Sequence, residues 1–167
     1  MNNLLDDLHK LLTDQTKLYR SLHGVLQQES SCISSSALDD LQENNKKKEV
    51  IVLQIQLLDE SCSQLLEAIY LHLPHQPEPP SLNNLIGLVN EPDSRPLQLR
   101  HEKLLSMARA VKELNCDNEN RITGALRAIK GSISFLMSFA TDAQPCYEST
   151  GMIKQQPALA PLLSKEA

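Results

Sequence analysis

The residues of this chain that could bind a metal or carry a reaction are five histidines (His9, His23, His72, His75 and His101), four cysteines (Cys32, Cys62, Cys116 and Cys146) and the acids near them. Their spacing supports neither chemistry. A di-iron helical site needs a Glu three residues before a His on facing helices, and no histidine here has one. There is no H-E-x-x-H, no P-loop and no G-x-G-x-x-G. His101 adjoins Glu102, but neighbours in a helix diverge rather than converge. His72 and His75 flank a proline-rich stretch and read as solvated surface. The cysteines are far apart and form no C-x-x-C pair, which predicts neither a disulfide framework nor a zinc site but the reduced thiols of a cytoplasmic protein. With no positioned acid, base or nucleophile, the chain reads as a protein that is not an enzyme and needs no cofactor or metal.

Three other residues stand out by position. Asn115 and Asn118 fall on an otherwise apolar helical stripe. A buried Asn costs stability but can fix the register between helices, so this pair is expected to form a structural polar layer. Tyr147 follows Pro145 and Cys146, outside any helical pattern, while the other four aromatics (Tyr19, Tyr70, Phe135 and Phe139) lie on predicted helices. An aromatic on a mobile segment suits an interface anchor or a fold-back onto the end of a bundle.

The elements that must position these residues follow from composition. Of 167 residues, 30 are Leu, only five are aromatic and only five are Gly. A sandwich or barrel would want more aromatic and β-branched residues and more turn glycines. Helices with aliphatic stripes fit instead. A formal net charge of −5, with Lys46, Lys47 and Lys48 as the basic run, argues against a nucleic-acid partner. The start of the chain has no basic and apolar signal-peptide pattern, and no apolar run is long enough to span a membrane.

All nine prolines lie at 74, 77, 79, 80, 92, 96, 145, 157 and 161, leaving 1–73 and 97–144 free for long helices. In the first stretch Leu4, Leu11, Leu18 and Val25 recur every seven residues, as do Leu5, Leu12, Tyr19 and Leu26. Leu8 and Leu22 add a third lane, interrupted by Gln15. This broad face predicts a helix over about 3–32 in a multi-helix core. Gly24 within it could permit a close helix contact. Ser36 is the expected N-cap of a second helix running to about Leu73, with Asp39 and Asp40 at its positive end. Its apolar face is Leu38, Leu41, Ile51, Ile55, Leu58, Cys62, Leu65, Leu66 and Ile69, and Lys46 to Lys48 read as a solvated face. An extended linker over 74–81 leads to a short helix from Leu82, capped by Ser81. The last helix is expected over about 96–142, roughly 70 Å against roughly 45 Å for the first. It is therefore either broken or longer than the bundle, with an apolar C-terminal face left for something else; Gly124 and Gly131 lie in that part. The expected fold is all-α: an antiparallel bundle of three long helices plus one short helix over 1–144, then a mobile tail over 145–167.

At this point the chain resembles the FlgN-like flagellar type III export chaperones, over most of residues 15–151. Leu18-Tyr19 and Leu26 to Glu29 resemble that family's first helix, and Leu38, Leu41 and the Lys46 to Lys48 cluster its second. More specific is Leu114-Asn115-x-x-Asn118, an apolar helix after it, and then Tyr147-x-x-x-Gly151. The resemblance implies cytoplasmic work: binding hook-associated (hook-filament junction) proteins, preventing their premature assembly, and delivering them to the flagellar export gate. It implies that the C-terminal helical region binds substrate, here Ile122, Ala125, Leu126, Ile129, Ile133 and Leu136, and that Tyr147 docks on the cytoplasmic domain of the gate. The proline-rich linker is more elaborate than in compact members. An apolar groove in a helical frame suits capture of an amphipathic helix, although an uncovered apolar face also favours a homodimer. Two other classes compete: a generic helical scaffold or coiled-coil adaptor unrelated to secretion, and a DNA-binding helical regulator, which the charge disfavours.

Overall fold

The computed structural model describes residues 2–73, 80–89 and 93–141. Four helices and no strand occur among them: α1 (Asn2–Ser35), α2 (Leu38–Tyr70), α3 (Leu82–Leu88) and α4 (Ser94–Thr141). The chain divides into two compact units, Met1–Thr123 and Gly124–Ala167. The expected tail over 145–167 and the 144/145 boundary lie outside the described residues. The last helix, which could have been broken at its glycines, is helical from Ser94 to Thr141.

In the first unit the heptad lanes of α1 do the packing. The lane of Leu5, Leu12 and Leu26 and the lane of Leu8 and Leu22 are buried, whereas Leu4, Leu11, Leu18 and Val25 are only half-buried. Leu5, Leu8 and Leu12 form one core with Leu66, Ile69 and Tyr70 of α2, Leu85 of α3 and Leu97 of α4. Leu22 and Leu26 form a second core with Ile55 and Val111. These partners fix directions. Rising numbers on α1 meet falling numbers on α2, so that pair is antiparallel. They meet rising numbers on α4, so α1 and α4 run parallel within this unit. Gly24 has nothing within 4 Å of where a Cβ would stand, so it makes no close helix contact.

The α1–α2 connection departs from expectation by one residue. The N-cap of α2 is Ala37, with no side-chain cap bond. Ser36 instead closes α1 in the left-handed region, at φ 56°. Its N–H donates to the Ile33 carbonyl and the Ala37 N–H to the Cys32 carbonyl, the paired bonds of a Schellman ending. A serine occupies the position that glycine usually takes, so the local serine run could be read as a cap for either helix. Leu38, the first residue of α2, is exposed rather than part of its apolar face. At the other end the sequence reading holds: Ser81 is the N-cap of α3, its side chain accepting from the Asn84 N–H at 3.2 Å. Tyr70 Oη donates to the Ser81 carbonyl at 2.9 Å, tying the end of α2 to the start of α3.

Two stability predictions follow from these termini. Ser36→Gly should raise stability by about 0.5–1 kcal/mol, because the left-handed conformation strains any residue with a Cβ; an unchanged or lower urea midpoint would contradict the assigned conformation. His9 sits where α1 meets α4. Burial, and next the nearby Arg100 guanidinium, lower its pKa from the ordinary 6.5, against the opposing pull of Asp6 and Asp93. The folded chain therefore binds fewer protons there than the unfolded chain, and stability should fall as pH drops below about 6.5. Melting curves of His9→Gln should lose less stability between about pH 7.5 and 5.5 than those of the parent chain.

Candidate functional site

Two regions of the described structure have features that plain helix packing does not require: a buried polar cluster in the first unit and an exposed apolar stripe in the second.

The polar cluster continues the third lane of α1. Leu8, Gln15, Leu22 and Glu29 are spaced by seven, and all four are buried. Each polar member has a partner on α2. Gln15 Nε2 donates to Asp59 Oδ1 at 2.7 Å, with the Thr16 hydroxyl beside it donating to the Leu12 carbonyl. Burial pushes the Asp59 carboxyl up, partly offset by the Gln15 bond, and burial followed by the Asp59 charge raises the Cys62 thiol, which therefore stays protonated.

Glu29 is held from two sides. Lys48 of α2 reaches Oε1 at 2.6 Å, and Asn118 of α4 donates to Oε2 at 2.9 Å. The same Asn118 amide donates to the Leu26 carbonyl at 2.8 Å. Asn44 bonds the Val25 carbonyl at 3.0 Å, and Arg121 the Ser30 hydroxyl at 2.9 Å. One carboxylate thus joins three helices. A buried charge is tolerated only when paired and hydrogen-bonded, so this arrangement fixes how α2 and α4 are aligned on α1.

The two asparagines of the expected polar layer separate. Asn118 is 1% exposed, but Asn115 is exposed. Asn115 stands about 60° round the helix from Asn118 and about 40° from Val111, and at its level of α4 it is left uncovered. Of the lysine run, Lys46 and Lys47 are exposed, with Lys47 paired to Glu43 on the same helix at 2.7 Å. Lys48 is half-buried and is the partner of Glu29, not part of a fully solvated face. Sequence reasoning missed Asn44 and the pairing of Glu29 with Lys48. The signal was present for Glu29, which extends the Leu8–Gln15–Leu22 lane by one more heptad.

The second unit is described through residue 141. Ala125, Leu126, Ile129, Ile133 and Leu136 are all exposed, Ile129 to 56% and Leu136 to 66%. Leu126, Ile129, Ile133 and Leu136 recur at spacings of three and four, so they share one helix face. Ile122 belongs to the first unit and is half-buried. Arg127 and Lys130 are the charged residues between 124 and 141, with no acid among them. Phe135 and Met137 are also exposed. Tyr147 lies outside the described residues.

The described residues hold no group of three His, Cys, Asp or Glu side chains that could grip a metal ion. No helix among them is long and apolar enough to cross a membrane. What the chain offers is a pinned helical frame and an apolar helix face.

The family model for the FlgN protein matches residues 1–155. The chain belongs to the FlgN family. The match spans the polar cluster and the apolar stripe alike, and it makes this a chaperone of flagellar type III protein export, within a family of chaperones rather than enzymes. The family implies binding of flagellar substrate proteins. Searches of curated proteins and of solved structures gave no significant match. Three of the segments that resemble the family, Leu26 to Glu29, Lys46 to Lys48 and Leu114 to Asn118, each supply a residue to the bonds around the Glu29 carboxylate.

The cluster yields a paired prediction. Asn118→Ala should lower stability by about 2 kcal/mol, since it strips a bond from a buried carboxylate and another from a backbone carbonyl. Asn115→Ala should stay within about 0.5 kcal/mol of the parent. Equal losses in urea unfolding would show that the two asparagines act as one layer after all.

Proposed function

We propose that this FlgN-family chain works in the cytoplasm, binds hook-associated proteins, keeps them from assembling prematurely and delivers them to the flagellar export gate. The observation that carries the reading is the exposed stripe of Leu126, Ile129, Ile133 and Leu136 within a chain whose family chaperones flagellar export. Ala125 lies beside the stripe in the second unit, and Ile122, in the first unit, is the remaining residue of the proposed binding set.

The physical logic is that of helix-in-groove recognition. An amphipathic terminal helix of the substrate lays its apolar side on the stripe, which hides two surfaces that would otherwise self-associate. Covering four aliphatic side chains contributes several kcal/mol before the cost of association is subtracted. Lys130 lies toward one edge of the stripe and no acid occurs between 124 and 141, so a substrate helix with a carboxylate beside its apolar positions fits better than one with a lysine there. In this reading Tyr147 is the contact to the cytoplasmic domain of the gate, a role separate from substrate capture.

The test separates these roles. Ile129→Asp places a charge where an apolar partner must close, and should weaken binding of a hook-associated protein's C-terminal segment by about 100-fold or more. The residue is exposed, so circular dichroism should show the helices intact. Tyr147→Ala should leave that binding within about threefold of the parent and reduce co-purification with the gate domain. Unimpaired substrate binding by folded Ile129→Asp would refute the stripe as the binding surface. Unchanged gate docking by Tyr147→Ala would refute the role of the tyrosine.

A further inference from the structure

The part of α4 that carries the stripe is helical without a buried face. Asn118 is the last buried residue of α4 among the described side chains, and Ile122 is half-buried. Every residue from Thr123 to Ser134 is exposed. Helices in folded proteins draw most of their stability from packing of one face. Over 123–134 that contribution is missing, and the conformation depends on backbone propensity.

The propensity of this stretch is low. Each good helix former added to a helix multiplies its statistical weight by only about 1–1.6 near 0 °C. A glycine lowers that factor about fivefold relative to alanine, so the steps through Gly124 and Gly131 run below one. Ile129, Ser132, Ile133 and Ser134 also rank below alanine. Ser132 Oγ donates to the Ala128 carbonyl at 3.0 Å, a back-bond that slightly weakens a helix. The two glycines are seven residues apart, and at about 100° per residue both fall on the side of the helix away from Leu126, Ile129, Ile133 and Leu136. Neither has an atom within 4 Å of where a Cβ would stand, so neither is there to admit a close neighbour.

We propose that Gly124 and Gly131 keep the stripe-bearing part of α4 in a helix–coil equilibrium, and that substrate capture draws it into the helical form. The proposal rests on the stripe being the substrate surface. A coil does not align side chains spaced by three and four, so only the helical population binds. The apparent affinity is then lower than the intrinsic one by the fraction that is helical. Melting on release also disperses an apolar face that would self-associate if it persisted.

The test is Gly124→Ala/Gly131→Ala in the full chain, since both sites have room for a methyl group and lie off the stripe. Circular dichroism of the free double variant should show more helix than the parent. Amide exchange over 124–134 should slow by about threefold or more, and binding of the C-terminal segment of a hook-associated protein should tighten by about threefold or more. Ala128→Gly, also away from the stripe, should lower helix content and weaken binding. Equal helix content and exchange in the parent and the double variant would overturn the equilibrium, and those readouts need no substrate. A double variant with more helix but unchanged or weaker binding would overturn its coupling to capture. Normal binding by folded Ile129→Asp would overturn the stripe and with it that coupling, while helix content and exchange still decide whether the equilibrium exists.

Discussion

Glu29 is the only acid or base among the described residues that is buried, and the first unit is arranged around its accommodation. A carboxylate removed from water without partners would cost far more than a small helical frame can supply. Here one oxygen takes the Lys48 ammonium and the other the Asn118 amide, from two different helices. Aliphatic side chains alone hold helices together without specifying alignment, because a leucine packs nearly as well one turn away. A shift of α2 or α4 by one turn would leave this charge unpaired. The leucine stripes thus provide most of the burial, and the polar cluster selects one register from those that the leucines permit.

This division explains what was legible in the sequence. The lanes of Leu5, Leu12 and Leu26 and of Leu8 and Leu22, together with the proline map, led directly to four helices, and Asn118 stood out because it broke an apolar stripe. Its partners were harder to see. Lys48 sits in a run of three lysines, and helical rotation turns it toward α1 while Lys46 and Lys47 face water. Asn115 looked equivalent to Asn118 because a 3–4 pattern tolerates either residue on a stripe, and which of them is covered depends on what packs at that level of the helix. Ser36 misled for a different reason: serine is a good N-cap by composition, but the chain needed a left-handed residue to end α1 at that point.

The family resemblance drew on Glu29, Lys48 and Asn118 alongside residues such as Tyr147, and the structure shows the first three in a framework role. They bond to one another and to the Leu26 backbone. The stripe over 126–136 shows the opposite economy: exposed apolar side chains on a helix with two basic residues and no acids. Such a surface is costly in isolation and useful only with something to cover it. In the frame the Glu29 carboxylate finds its partners within the chain, whereas the stripe leaves its apolar side chains exposed.

The proposed capture of substrate on the helix after Gly124 requires that the Glu29 cluster stay unaltered on binding. Amide hydrogen exchange of the full chain, with and without the C-terminal segment of a hook-associated protein, tests this most directly. Exchange over residues 124–138 should slow on binding, with exchange around Glu29, Lys48 and Asn118 unchanged. Protection confined to residues before 124, with 124–138 exchanging as in the free chain, would contradict it.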